Sequence, residues 1–482
     1  MLCTIKPITI LNNNLKAMKL LFAFILILPQ ISFAQWSKTY GGVNLEYGFS
    51  IRETPDNGFI ICGTTESFGN GQGDNWLIKI NEFGDTLWTK TIGEATNEQG
   101  GQIRQTMDGG FILTSTVGIG PLSSRIVKTN VIGDTLWTLP FGGGGAETDV
   151  LLSVEQTTDN GFLFSGYTNS YGTMNGQADM WLIKTDNFGD TLWTKTYGGL
   201  NWESGKAIQT NDGGFLISAV TYSFSNLGQE WLIKTNNTGD TLWTKIYGGI
   251  WDEYINESIQ TTDNGFAILG QTNSFGNGGS DVWFIKTDQA GDTLWTKTYG
   301  GSNDEIGVSV KQTSDGGYII GAQTKSFGNG LNDLWIIKTD AFGDTLWTSV
   351  YGGASEDYIG DCHQTSDGGY IILGSTNSMG NGSQDIWVIK TDANGIASTQ
   401  ETFLSKKFTI YPNPVTDIIS LTEIGNAGTI KSIEIITVDG RIVSNYEGVG
   451  TKKINVSKLT SGQYFLKVIF NNEIETVKFI KR

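Results

Sequence analysis

"DEIGVSVKQTSDGGYIIGAQTKSFGNGLNDLWIIKTDAFGDTLWTSVYGG" (residues 304–353) contains four strand-like runs, two tight turns and one longer loop. The first run is "GVSVKQT". "SDGG" then reverses the chain, because Gly and Asn accept the positive φ of a short hairpin. "GYIIGAQT" is the second run, "KSFGNGLND" the longer loop and "LWIIKT" the third run. "DAFGD" turns the chain again, with Gly where positive φ is needed, and "TLWTSVYG" is the fourth run. The second and third runs are apolar at consecutive positions, so both faces of the sheet they build are covered. Helical periodicity is absent.

The unit recurs. Its "D-[NG]-G" turn ends at Gly58, Gly110, Gly161, Gly214, Gly265, Gly317 and Gly369, at spacings of 52, 51, 53, 51, 52 and 52 residues. A fixed period of this length points to a propeller, a solenoid or an array. A four-stranded blade between two neighbours has both faces covered, whereas a parallel β-helix uses shorter rungs without paired hairpins. "GDTLW" occurs only six times, at 84–88, 133–137, 189–193, 239–243, 291–295 and 343–347. The seventh third-strand, "DIWVIKTD" (385–392), runs into "ANGIAST", while an orphan "QWSKTYGG" stands at 35–42. The expectation is an all-β chain with a seven-bladed β-propeller over 35–397, closed by Trp36–Gly42 beside residues 385–392. Seven tryptophans (Trp36, Trp88, Trp137, Trp193, Trp243, Trp295, Trp347) fall in the fourth strand, and six (Trp76, Trp181, Trp231, Trp283, Trp335, Trp387) open the third. Arg125 replaces the latter in the divergent second unit, and Trp202 and Trp251 stand outside the pattern.

Residues 1–34 read as a secretory leader: Lys19, the apolar run "LLFAFILILPQ" and "SFA", with cleavage after Ala34 and Met18 the more natural start. Formal charge is −17; removing Lys6, Lys16 and Lys19 gives −20, and the +3 of residues 401–482 leaves −23 on residues 35–400. So acidic a body disfavours nucleic acid and anionic lipid. Beyond Cys3, the chain has only Cys62 and Cys362. Ring closure would make their blades neighbours, so an exported disulfide competes with the plainer reading of two small buried side chains.

After about residue 400 the repeat ends. A linker at 398–402 leads to short alternating strands, "FTIYPNPVTDIISL" (408–421), "IKSIEIITVDGRIV" (430–443) and "INVSKLTSGQYFLKVIF" (454–470), with turns at Pro412-Asn413-Pro414, Asp439-Gly440 and Ser461-Gly462. They suggest a small Ig-like β-sandwich over 403–482. On Tyr411, Pro412, Asn413, Pro414, Gly440 and Gly462, with the basic end, this tail resembles the type A C-terminal sorting domain of the type IX secretion system of Bacteroidetes. The resemblance implies Sec export, recognition by an outer-membrane translocon, then sortase cleavage and release or surface attachment. The repeats are similar to secreted repeats of the same bacteria, a resemblance that carries no defined activity.

Antiparallel order places the longer loops, between the second and third strands and between units, on one rim. That rim is the expected functional face. Each inter-unit loop delivers a carboxylate: Glu46, Glu98, Asp149, Glu203, Glu253, Glu305 and Asp357. Such a ring reads either as a cation or polar-ligand site or as solvated and loop-capping acids. Trp202 and Trp251 lie in the same loops beside Glu203, Asp252 and Glu253, the pairing by which rings and carboxylates hold sugars. The leading expectation is a secreted or cell-surface binding and adhesion module for glycans or surface polymers. The alternative is a carbohydrate-active or quinoprotein-like enzyme using loop carboxylates. No cofactor motif is evident; calcium is the one candidate, since "GNGQGD" (69–74) is similar to calcium-binding glycine–aspartate nonapeptides but lacks their tandem period. The single histidine, His363, shares its column with Arg52, Arg104, Glu155, Ile208, Ile259 and Lys311, and reads as a tolerant strand position; one histidine supports neither a zinc cluster nor a Ser–His–Asp triad.

Overall fold

The computed structural model describes residues 35–118, 122–142, 147–172, 177–225, 227–397, 408–411, 415–423, 430–437, 441–447, 453–469 and 474–482. The leader, the linker, Pro412, Asn413, Pro414 and Gly440 lie outside them. Every regular element among the described residues is a strand. The chain divides into two compact units at Ser398/Thr399.

The first unit is built of four-stranded antiparallel sheets, each ordered A-B-C-D. Sheet one is Glu46–Glu53, Phe59–Thr65, Asp74–Ile80 and Thr86–Ile92; sheet two is Glu98–Gln105, Phe111–Val117, Ser123–Thr129 and Thr135–Phe141. Sheet three is Asp149–Gln156, Phe162–Thr168, Asp179–Thr185 and Thr191–Tyr197; sheet four is Glu203–Gln209, Phe215–Thr221, Gln229–Thr235 and Thr241–Tyr247. Sheet five is Glu253–Gln260, Phe266–Thr272, Asp281–Thr287 and Thr293–Tyr299; sheet six is Glu305–Gln312, Tyr318–Thr324, Asp333–Thr339 and Thr345–Tyr351. Sheet seven contributes Asp357–Gln364, Tyr370–Thr376 and Asp385–Thr391 as A, B and C. Its D strand is Trp36–Tyr40, with Trp36 opposite Lys390 and Tyr40 opposite Ile386. The turn after its own strand C is retained, with Gly395 at φ 71°, but the chain then makes a single bridge between Ala397 and Thr391.

The two turn signatures have distinct causes. In the A–B hairpins the third residue takes positive φ throughout: Asn57, Gly109, Asn160, Gly213, Asn264, Gly316 and Gly368. In the C–D turns the glycine of "GD" takes it, and a tryptophan of the neighbouring sheet also lies against it. An added Cβ at Gly291 would sit 2.8 Å from Trp243 ring atoms, with φ at 78°. At Gly316, φ is 83° but nothing lies within 4 Å. Gly316→Ala should therefore cost about 1 kcal/mol from backbone strain alone. Gly291→Ala should cost roughly 2–4 kcal/mol, because overpacking adds to the same strain. Thermal unfolding of the two variants checks the difference.

Strands B and C are buried almost throughout, and strand D is the half-exposed outer edge. Each D-strand tryptophan meets the first aromatic of the next strand B. The centroid distance is 6.3 Å for Trp88 and Phe111, 5.7 Å for Trp193 and Phe215, 5.6 Å for Trp347 and Tyr370, and 6.4 Å for Trp36 and Phe59. The D-strand lysine bonds the "GD" aspartate of the following sheet, as in Lys245–Asp292 at 2.6 Å and Lys38–Asp85 at 2.6 Å. The last D-strand tyrosine donates to its "GD" glycine carbonyl, Tyr247 to Gly291 and Tyr40 to Gly84. Trp36, Lys38 and Tyr40 thus contact sheet one as other D strands contact their successors.

Two polar devices explain further constants of the repeat. The lysine of each "IK" is buried and reaches the hairpin aspartate, as Lys286 reaches Asp263 at 2.9 Å and Lys390 reaches Asp367 at 2.8 Å. The "QT" glutamine ending strand A accepts from a backbone N–H in the preceding sheet's hairpin: Thr262 to Gln312 and Ser314 to Gln364, each pair within 2.9 Å. Glu53 takes that role for Ser366 of sheet seven at 2.9 Å.

Of the two readings of the cysteines, the plainer one holds and the disulfide does not form. Cys62 and Cys362 are free and buried. Cys62 packs with Phe111 and Leu113 of sheet two, whereas Cys362 packs with Leu334 and Ile336 of sheet six. They point to opposite sides of the sheet-one/sheet-seven contact, and burial pushes both thiols up to about 12.

In the second unit, Phe408–Tyr411, Ile418–Glu423 and Lys453–Asn455 form one sheet. Ile442–Glu447, Ser432–Thr437, Gly462–Ile469 and Ile474–Lys481 form the other. Ile419, Leu421, Ile433, Ile435, Leu466 and Phe479, drawn from both, share one core. Gly462 opens a strand rather than a turn. Among the described residues no helix is long and apolar enough to cross a membrane.

Candidate functional site

Of the readings of the seven inter-unit carboxylates, loop capping is the one their geometry fits. Glu46, Glu98, Asp149, Glu203, Glu253, Glu305 and Asp357 each begin a strand A and are 0–1 % exposed. Glu305 shows the local chemistry: it accepts from Gly301 N at 2.7 Å, Thr324 Oγ1 at 2.9 Å and Ser326 N at 3.0 Å. Glu46 does the same with Gly42, Thr65 and Ser67. These acids tie the "YGG" loop to the end of strand B and the start of the next loop. They are structural clasps, which is why nearly every unit has one. Glu98, in the divergent sheet two, instead accepts from Thr96 and lies 4.0 Å from Arg125.

The carboxylates beside Trp202 and Trp251 are held in much the same way. Glu203 accepts from Gly199, Thr221 and Ser223. Glu253 accepts from Gly249 and Thr272. Asp252 is the half-buried member, and it accepts from Gly228 N at 2.6 Å. Trp202 and Trp251 are 37 % and 58 % exposed. Trp202 is held between Tyr167, at 5.9 Å, and Tyr222, at 6.1 Å. Tyr222 in turn bonds the Tyr254 hydroxyl at 3.3 Å. Trp251 anchors its backbone N–H on Ser274 Oγ at 2.9 Å and leaves its ring free of aromatic neighbours among the described residues. Among the described residues no group of three or more His, Cys, Asp or Glu is arranged to hold a metal.

The sequence reading missed the inner channel. Strand A of each sheet touches strand A of the next, and Glu46–Glu53 touches Asp357–Gln364. The A strands line a cavity of about 400 Å³, with Tyr47, Phe49 and Tyr358 among its walls, and Gln102, Lys206, Glu257 and Asp361 projecting into it. Its charges are unlike. Asp361 bonds Arg52, lies 3.1 Å from His363 Nε2 and accepts from Ser309 Oγ at 3.0 Å. Burial would raise its carboxyl, but His363, Arg52 and Lys311 hold it well below the usual range. Burial, opposed by Asp361 and aided by Arg52, pushes the His363 imidazole down to about 4. Lys311 bonds both oxygens of Glu257 at 2.6 Å. Burial and the like charge of Arg52 lower Arg104 to about 10, and burial lowers Lys206. The signal lay in the variable column Arg52, Arg104, Glu155, Lys311 and His363: charge that changes from unit to unit on the innermost strand marks where the repeat loses its symmetry.

Comparison with known proteins places the tail. The family model for the secretion system C-terminal sorting domain matches residues 409–482. The chain is therefore a β-propeller-like repeat protein carrying a type IX sorting domain. That domain engages the type IX secretion machinery and directs the protein to the cell surface or extracellular space of a Bacteroidetes bacterium. The regulatory protein FlaEY of Caulobacter vibrioides is 25 % identical over 182 residues, covering 32 % of this chain and 19 % of that protein, so the match spans about a fifth of the curated relative. Puromycin hydrolase superposes with a TM-score of 0.48 at 11 % identity, covering 87 % of this chain and 58 % of that one. The Pan2 WD40 domain of Neurospora crassa gives 0.44 at 11 % identity, covering 73 % and 89 %. A protein of unknown function from Dyadobacter fermentans gives 0.41 at 13 % identity, covering 60 % and 93 %. None of these likenesses carries an activity over.

Proposed function

We propose that this protein is an exported binding module: a seven-bladed propeller closed by residues 36–40, with a glycan platform on its loop face. The translocon and a sortase would read the tail, and the propeller would be the cargo. The observation that carries the platform is Trp202, exposed yet wedged between Tyr167 and Tyr222. A ring already fixed by packing loses little freedom when a sugar stacks on it. Trp251, in the corresponding loop of the next sheet, offers a second ring, with Asp252 beside it as a hydroxyl acceptor. A catalytic role for the loop carboxylates finds no support, because Glu203 and Glu253 are committed to the fold.

A glycan array on the purified protein tests the platform. Trp202→Ala and Trp251→Ala should each weaken the best ligand about tenfold, which corresponds to ~1.4 kcal/mol. Undiminished binding in both variants would remove the proposal.

A further inference from the structure

We infer that the central channel binds a small carboxylate-bearing ligand of uronic-acid size, its carboxylate received by Lys206 and Arg104. The channel carries four cations, Arg52, Arg104, Lys206 and Lys311, against three carboxylates, Glu155, Glu257 and Asp361. Two carboxylates are already saturated. Glu257 takes both bonds from Lys311 and a third from Val310 N at 2.7 Å, and Asp361 is taken by Arg52, Ser309 and the N–H of Ile51. Glu155 accepts from Gln209 N at 2.9 Å. Arg104 donates to neutral oxygens, Ile103 O and Gln102 Oε1, each at 3.0 Å. The Lys206 ammonium makes no hydrogen bond or ion pair with a described residue; the charge of Glu257 reaches it, but both Glu257 oxygens are taken by Lys311. An ammonium drawn into a channel without an acceptor is costly unless an anion meets it.

The two cations share a recess with Gln102, Ser153 and Ser258. That recess shares the walls Gln102, Lys206 and Glu257 with the main cavity. The main cavity, about 400 Å³, lies in the range that holds small organic ligands. Tyr47, Phe49 and Tyr358 offer ring faces for C–H groups, and Gln99, Thr116 and Ser375 offer partners for hydroxyls. A body of charge −23 over residues 35–400 repels anions elsewhere, so the channel is where an acid can settle. This site is independent of the platform at Trp202 and Trp251.

Isothermal titration of the purified protein with glucuronate, glucose and acetate tests it. Glucuronate should bind at least about tenfold more tightly than either control. Lys206→Gln should weaken glucuronate about tenfold or more, Lys206→Arg should hold it within about threefold, and the Trp202→Ala/Trp251→Ala variant should leave it unchanged. Because the Lys206 ammonium has no hydrogen-bond partner to lose, Lys206→Gln should melt close to the native protein; if it does not fold, the glucose, acetate and Lys206→Arg arms still decide. Absent glucuronate binding, equal binding of glucose or acetate, or unchanged affinity in folded Lys206→Gln would each overturn the inference.

Discussion

Deleting residues 35–42 lowers the stability of the repeat unit by roughly 5 kcal/mol or more, and a peptide of residues 35–42 added in trans restores it. The magnitude follows from what the segment buries. Trp36 is 8 % exposed and packs on Phe59, and losing such a ring costs about 3–5 kcal/mol. The deletion also strips the partner from Asp385–Thr391, a wholly buried strand whose edge would then lie open. It removes the Trp36 bond to Glu82 O at 2.8 Å and the Tyr40 bond to Gly84 O at 2.6 Å, both made to sheet one. Denaturant unfolding, with and without the peptide, measures both effects. An unchanged midpoint would mean that the strand adds nothing to the unit.

The second large effect is expected from Asp361→Ala. Asp361 is the shared acceptor for Arg52, Ser309 and the backbone of Ile51, so it joins sheets seven, one and six. Removing it leaves the Arg52 guanidinium without its carboxylate, and taking one partner from a buried pair typically costs about 3–5 kcal/mol. Replacing His363 acts differently. Its folded pKa of about 4 lies below the ordinary 6.5, so the unfolded chain binds the extra proton between those values. Its contribution is thus full above pH 6.5 and is lost as pH falls toward 4, by up to about 3 kcal/mol. The stability difference between wild type and His363→Gln should trace that window. A flat difference across it would contradict the neutral, buried imidazole.

Much of the architecture was legible because turn chemistry is local. A positive-φ residue must be Gly or Asn almost wherever it falls, so the hairpins announce themselves, and the mismatch between six "GDTLW" motifs and seven "D-[NG]-G" turns points to Trp36–Tyr40. The candidate site was less legible because side-chain direction is not local. A carboxylate in a glycine-rich loop ordinarily faces water, yet Glu305 turns inward to clasp its own loop, and only the neighbouring strand's Thr324 makes that visible. Lys286, at the end of an apolar run, is buried against Asp263, a pairing that the hairpin turn alone does not announce. His363 looked tolerant because its column varies, but variation on strand A is how repeated sheets acquire chemically unlike charges where their A strands meet. The alternative disulfide was open for a related reason: adjacency of two sheets does not decide which face of each a thiol occupies, and both cysteines are buried and free.

Hydrogen exchange at the amides of Trp36–Tyr40 tests the central claim, closure of the ring by the first strand, most directly. Closure predicts protection at the amides of Trp36–Tyr40 that bond Asp385–Thr391, as at the other edge strands D. Exchange of Trp36–Tyr40 as fast as a free terminal segment, while Asp385–Thr391 stays protected, would contradict it.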